Sequence, residues 1–289
     1  MTLPGSFDLK LAAAAVVALC SHPASAVGVV PPAAFSSWAC DGICGSLTQD
    51  GDITLSPLGN ARYAYVSTAE SAATGLSPVA LDANSRGAGT EQNGSRLISG
   101  SFTANPGDTL DMQFNFVSTD GKGYDDYAWG RVVNAADASL VAWLFIARST
   151  NSSSGKIIPG DVVDKSEFDP DQMIVGFKDF AFNSKTVADP IDWSPLVFSN
   201  GTCWKDNADG CGYTGWLQSH YSFSAGGTYR VEAGVVNWGD SAYDSGLAVD
   251  YAGLSAPAPV PEASTLSMMA LGLVALGAGL RRRRSTRIG

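Results

Sequence analysis

Histidine is almost missing from this 289-residue chain. There are two, too few for a histidine-rich metal centre. Only His220 lies beyond the first 26 residues, so a Ser-His-Asp or Cys-His mechanism would have to run through it. Its neighbours Ser219 and Tyr221 make a strand-like stretch, which reads as a strand histidine rather than a base. Glutamate is scarce as well. The body has Glu70, Glu91, Glu167 and Glu232, and its many aspartates cluster with Gly, Asn and Ser, which is turn chemistry. That leaves little for the paired carboxylates of glycoside hydrolysis. Glu232 alternates with Val231 and Ala233 and is expected to face solvent. Long helical periodicity and internal repeats are both lacking.

Basic residues are outnumbered, 18 Lys and Arg against 28 Asp and Glu. Six of the 18 (Lys10, Arg281, Arg282, Arg283, Arg284 and Arg287) lie near the two ends. Without those six, and without Asp8 and Glu262, residues 27–260 hold 12 basic and 26 acidic side chains, a balance of −14. So acidic a body lacks the basic footprint of a nucleic-acid binder. It suits solubility and the attraction of cations.

The ends read as address labels. Lys10, the apolar run 11–20 and the box Ala24-Ser25-Ala26 have the form of a secretory signal over 1–26. It implies export through the Sec translocon and a mature chain starting at Val27. Residues 27–37 are a Pro- and Ala-containing lead-in. Residues 255–261, Ser-Ala-Pro-Ala-Pro-Val-Pro, form a stiff extended linker. Beyond it, an apolar segment at 264–280, expected as a hydrophobic transmembrane helix, is followed at once by Arg281, Arg282, Arg283 and Arg284, the pattern of a stop-transfer signal. The span is short for a stable anchor and suits transient inner-membrane insertion before cleavage.

Between the labels, residues 38–254 have the length of one all-β domain. Strands are expected at 63–66, 97–103, 109–117, 127–133, 140–147, 229–238 and 247–254. In 109–117, Leu110, Met112, Phe114 and Phe116 alternate with Asp111, Gln113 and Asn115. Asn105-Pro106-Gly107-Asp108 is a strong turn before it. Short strands with Gly- and Asp-rich turns predict a β-sandwich, jelly-roll-like in its connections. Four cysteines remain after the leader: Cys40, Cys44, Cys203 and Cys211. In an exported chain they predict disulfides, and short loops favour Cys40–Cys44 with Cys203–Cys211. Zinc is the competing reading, with poor ligand spacing.

Two clusters could hold a hard cation such as calcium. One is Asp120, Asp125 and Asp126; the other is Asn237, Asp240 and Asp244. Neither matches an EF-hand loop, and ordinary turns are the alternative. If the two loops meet at one end of a sandwich, their charges concentrate there. Of seven tryptophans, Trp129 and Trp143 sit in apolar strands and are expected in the core. Trp204 and Trp216 flank the Cys203–Cys211 loop and, with Trp238, are the candidate platforms for sugar rings.

At the C-terminus, Val260-Pro261-Glu262-Ala263-Ser264, the apolar span and the arginine run together resemble the PEP-CTERM sorting signal. Ala263 stands where that motif usually has proline. The resemblance covers about the last thirty residues. It implies an exosortase as processing partner and a destination in the cell envelope or extracellular matrix of an exopolysaccharide-making Gram-negative bacterium. The body is similar to an uncharacterised group of PEP-CTERM proteins, through the stretch from Phe114-Asn115-Phe116 to Tyr127-Ala128-Trp129, Cys211-Gly212-Tyr213-Thr214-Gly215-Trp216, and Val236-Asn237-Trp238 on to Tyr243-Asp244-Ser245-Gly246. The combined expectation is a non-enzymatic surface or matrix protein that binds polysaccharide. The alternatives are a structural or adhesive protein without a small ligand, and a polysaccharide hydrolase.

Overall fold

Period-two alternation builds this domain. A computed structural model describes residues 37–78, 90–121, 124, 126–148, 183–197, 200–205, 210–256 and 273. Among them lie thirteen strands: β1 (Ala39–Asp41), β2 (Ile43–Leu47), β3 (Tyr63–Ser67), β4 (Glu91–Ile98), β5 (Phe102–Ala104), β6 (Thr109–Ser118), β7 (Tyr127–Asn134), β8 (Leu140–Arg148), β9 (Asn183–Ser184), β10 (Gly212–Tyr213), β11 (Leu217–Ser222), β12 (Gly227–Trp238) and β13 (Ser245–Ser255). They form two antiparallel sheets. The first runs β1-β4-β12-β7-β8, with β5 also on β12; the second runs β2-β3-β13-β6-β10-β9, with β11 also on β6.

The sheets bury their facing sides against each other. Leu110, Met112, Phe114 and Phe116 of β6 meet Val231, Ala233 and Val235 of β12 and Ala128 and Val132 of β7 in one core. Phe114 stacks on Phe145 of β8 across the gap, centroids 4.9 Å apart. Gly130 of β7 makes room for that stack, since a Cβ there would lie 2.7 Å from the Phe114 ring.

The outer faces are covered too. On the second sheet, Tyr63, Val117 and Ala248 pack with Ile53, Ile191, Trp193, Leu196 and the Cys203–Cys211 bridge. Gln113 and Asn115 therefore sit on the face opposite the main core, as their alternation requires, yet are buried. On the first sheet, Tyr127, Trp129, Trp143, Val236 and Trp238 form an apolar cluster with Leu76. Beside it runs a charged row. Arg131 donates to Glu232 Oε2 from Nε and Nη2 at 2.9 and 2.7 Å, and Arg96 reaches the same oxygen at 4.0 Å. Glu232, expected in solvent, is thus 3% exposed and held by two guanidinium groups. Its face was read correctly, but the cross-strand arginines that neutralise it let it be buried.

The stretch expected as one strand at 97–103 is two, β4 and β5. Ser99 interrupts it while keeping its place on β12, its N–H donating to the Val231 carbonyl and its Oγ accepting the Val231 N–H, both at 2.8 Å. The sandwich lies within a unit spanning Gly28–Pro257. The leader, the sorting motif, the arginine run and Asp125 lie outside the described residues, as does the apolar span apart from Leu273. No helix among the described residues is long and apolar enough to cross a membrane.

Candidate functional site at the Asp126 end of the sandwich

Strand pairing forces two loops together. β6 pairs with β13 so that Ser118 faces Ser245, and β7 pairs with β12 so that Tyr127 faces Val236. The β6–β7 loop and the β12–β13 loop must then emerge at the same end. They are joined by hydrogen bonds: Thr119 donates from N and Oγ1 to the Asp244 carbonyl at 3.0 and 2.8 Å. Asp126 is the keystone. Its Oδ1 accepts the Trp238 N–H at 2.9 Å and its Oδ2 accepts the Ser245 hydroxyl at 2.7 Å. Asp126 is 1% exposed and Asp120 is 2% exposed. Burial first, then the Asp120 charge and more weakly that of Asp240, push the Asp126 carboxyl well above the usual carboxylate range; the two hydrogen bonds oppose this.

A row of amide side chains lies beside this carboxyl. Asn237 continues the inward face of Val231, Ala233 and Val235, and its cross-strand partner on β4 is Asn93. One step beyond the Val236–Tyr127 pair, the register sets Asp126 on the other flank of Asn237. Asn93 donates from Nδ2 to the Thr68 and Ser71 carbonyls at 3.1 and 2.9 Å. Asn93 Oδ1 and both polar atoms of Asn237 are buried with no hydrogen-bond partner among the described residues.

The remaining acidic candidates do other work. Asp240 Oδ1 accepts the Ala242 N–H within its own turn, and Asp244 contributes its backbone carbonyl. Among the described residues no three His, Cys, Asp or Glu side chains gather as a metal-binding group. The full carboxylate cage drawn from sequence is therefore not assembled by its described members.

Both predicted disulfides are present, Cys40–Cys44 and Cys203–Cys211. Four sulfurs paired in this way leave none for zinc. The second bridge holds Trp204 over the site. The Trp204 N–H donates to the Thr119 carbonyl at 3.1 Å, and the ring lies where a Cβ on Gly121 would come within 2.6 Å. Tyr124 meets that ring edge-on at 5.5 Å, and the exposed Lys205 ammonium sits 4.1 Å from its centroid. Trp204 is only half-buried. Trp216 packs edge-on against Tyr63 and donates its indole N–H to the Thr54 carbonyl, so it joins the outer packing layer of the second sheet. Trp238 is 5% exposed and offers no face to a sugar. Trp129 and Trp143 are buried, in the outer cluster of the first sheet rather than between the sheets. His220 pairs with Asp111 at 2.6 Å on an exposed face, while Ser219 points to the opposite, buried side.

Sequence reasoning missed Asn93, Thr119, Tyr124 and Ser245 as members of this site. Asn93 and Ser245 are separated from Asp126 along the chain and join it only through strand register.

A family model described as the PEP-CTERM protein-sorting motif matches residues 259–284. No curated protein matches the chain. Among solved structures it is similar to the K3 cleaved adhesin domain of Lys-gingipain (Kgp) from Porphyromonas gingivalis w83. The identity is 9% over 74% of this chain and 94% of that chain, with a TM-score of 0.27, too distant to carry an argument.

Proposed function

From a chain that carries the PEP-CTERM protein-sorting motif, and is thereby marked for export and exosortase sorting to the cell surface, we propose a non-enzymatic surface or matrix protein that binds extracellular polysaccharide. The sandwich, which we read as jelly-roll-like, is the scaffold, and the loops around Trp204 are the binding edge. The observation that carries the glycan reading is the Trp204 ring. It is half-buried, seated on Gly121, flanked by Tyr124 and tied by its own N–H to the Asp120-bearing loop. A fixed indole beside hydrogen-bonding loops can stack on a sugar ring that takes the place of the exposed Lys205 ammonium now over it, while the loop groups hold its hydroxyls.

Non-catalytic action is supported by where reactive groups sit. The described cysteines are oxidised, His220 and Ser219 face opposite ways, and Glu232 is engaged by Arg131 and Arg96. The organism is read as a Gram-negative producer of exopolysaccharide. Co-sedimentation of the exported protein with polysaccharide purified from its host is the test. Retention is expected, and Trp204→Ala should weaken it about tenfold, the worth of one stacking contact. No retention of the wild type would leave a structural or adhesive surface protein. Release of new reducing ends from the polysaccharide would establish a hydrolase instead.

A further inference from the structure

We propose that a cleft walled by Trp38, Phe102, Val231 and Tyr251 binds the acetyl group of an acetylated sugar. The acetyl chemistry is read from the cleft itself; that a sugar carries it rests on the polysaccharide reading above. The cleft lies beside Ser99 and Gly100, where the chain breaks between β4 and β5. It is set apart from the Trp204 loop. Tyr251 pairs with Met112 in the first half of β6, whereas Ser118 at the far end of β6 leads into that loop.

Size and walls narrow the occupant. The cavity measures about 80 Å³. An apolar cavity of about 150 Å³ takes a benzene ring, so this one has room for about half a ring, a group of roughly three non-hydrogen atoms. The walls are mainly apolar, and none of the described lining residues is charged. Trp38 and Phe102 are partly buried and packed against the main core, with Phe102 held edge-on by Phe223 at 6.0 Å.

One polar group is aimed at this space without a partner. Tyr251 is 7% exposed. Among the described residues it is its backbone that makes its hydrogen bonds: the N–H donates to Asp250 Oδ1 at 2.8 Å and the carbonyl accepts from Asn60 Nδ2 at 3.2 Å. The hydroxyl is left over, and burial pushes it up to about 12, so it stays protonated and able to donate. The Ser99 hydroxyl is already committed, accepting the Val231 N–H and donating to the Gly100 carbonyl, both at 2.8 Å. The site therefore offers one buried donor among apolar walls. A carboxylate here would be buried without a counter-ion, and a sugar hydroxyl would leave the walls unfilled. An acetyl group matches both features. Its methyl fills the apolar space and its carbonyl oxygen accepts from Tyr251. It is neutral whether linked as an ester or an amide.

The test is saturation-transfer NMR on the exported protein, with N-acetylglucosamine and methyl 6-O-acetylglucoside as probes. The acetyl methyl protons should receive the strongest transfer, at about millimolar affinity, as befits so small a group. Methyl glucoside should displace neither probe. Tyr251→Phe keeps the ring and removes the donor. It should fold at least as well and bind about fivefold more weakly. Gly100 is exposed, and a Cβ there would meet nothing within 4 Å. Gly100→Leu therefore fills the mouth of the cleft without a clash and should abolish the transfer; it is the second variant should Tyr251→Phe not fold. Trp204→Ala should leave the acetyl signal unchanged, so failure of this site and failure of polysaccharide retention at Trp204 are read separately. No transfer to either acetyl methyl overturns the proposal. So does equal affinity in the wild type and both cleft variants, or transfer that is strongest on the ring protons.

Discussion

A buried phenol gives up its proton later than one in water. Tyr63 and Tyr251 are 0% and 7% exposed, and burial pushes both hydroxyls up to about 12. The folded value lies above the unfolded one, near 10. Their contribution to stability is therefore complete below about pH 10 and is lost as pH rises towards 12. Tyrosinate absorbance should lag behind that of free tyrosine up to about pH 11 and then rise together with the unfolding signal. Glu232 makes a second residue-level case. Glu232→Gln removes the charge that Arg131 and Arg96 share and should cost about 2 kcal/mol in urea unfolding, less than a fully buried pair because both arginines retain some solvent. At this scale the sequence was half legible. Alternation assigned Glu232 to its face, but its partner on β7 is 101 residues away, and no local pattern announces that.

Elements divide by length. β6, β7, β8, β12 and β13 were legible because each carries a long run of strand formers, alternating in β6 and β12 and continuously apolar in β8. β4, also eight residues, opens with the polar Glu91-Gln92-Asn93-Gly94-Ser95-Arg96 and was read only from Leu97. β1, β2, β9 and β10 have two to five residues each and are held by the edges they pair with, so local sequence carries little trace of them. Close approach between elements was also hidden. Gly130→Ala should cost about 1–3 kcal/mol, because the added methyl meets the Phe114 ring that stacks on Phe145. The disulfides give a graded prediction. Cys203 and Cys211 are buried in the outer core of the second sheet, and replacing both with serine should cost about 2–3 kcal/mol. The Cys40–Cys44 bridge spans four positions between edge strands β1 and β2 and is partly exposed. Its loss should cost less, and it should be the first reduced by dithiothreitol. Denaturant unfolding of each double-serine variant, with timed thiol trapping of the wild type, checks both statements.

For the whole molecule, the meeting of the β6–β7 and β12–β13 loops was conditional in the sequence and was decided by pairing. Acidic residues marked the loops, but register alone brought Asp126 to Trp238 and Ser245 and left Asp240 in its own turn. The inward polar row with Asn93 could not be read ahead, because its members come from three separate strands or their edges. The sorting signal was legible in full, since it is linear: motif, apolar span and basic run are consecutive in the chain and are matched over 259–284. That signal carries the central claim, that the domain is delivered to the surface by an exosortase which removes the tail. Mass spectrometry of the mature C-terminus, on protein recovered from a host that has the exosortase, tests it directly. The account predicts a chain ending near Pro261–Glu262 without the apolar span. Recovery of mature protein still carrying Arg281, Arg282, Arg283 and Arg284 would contradict it.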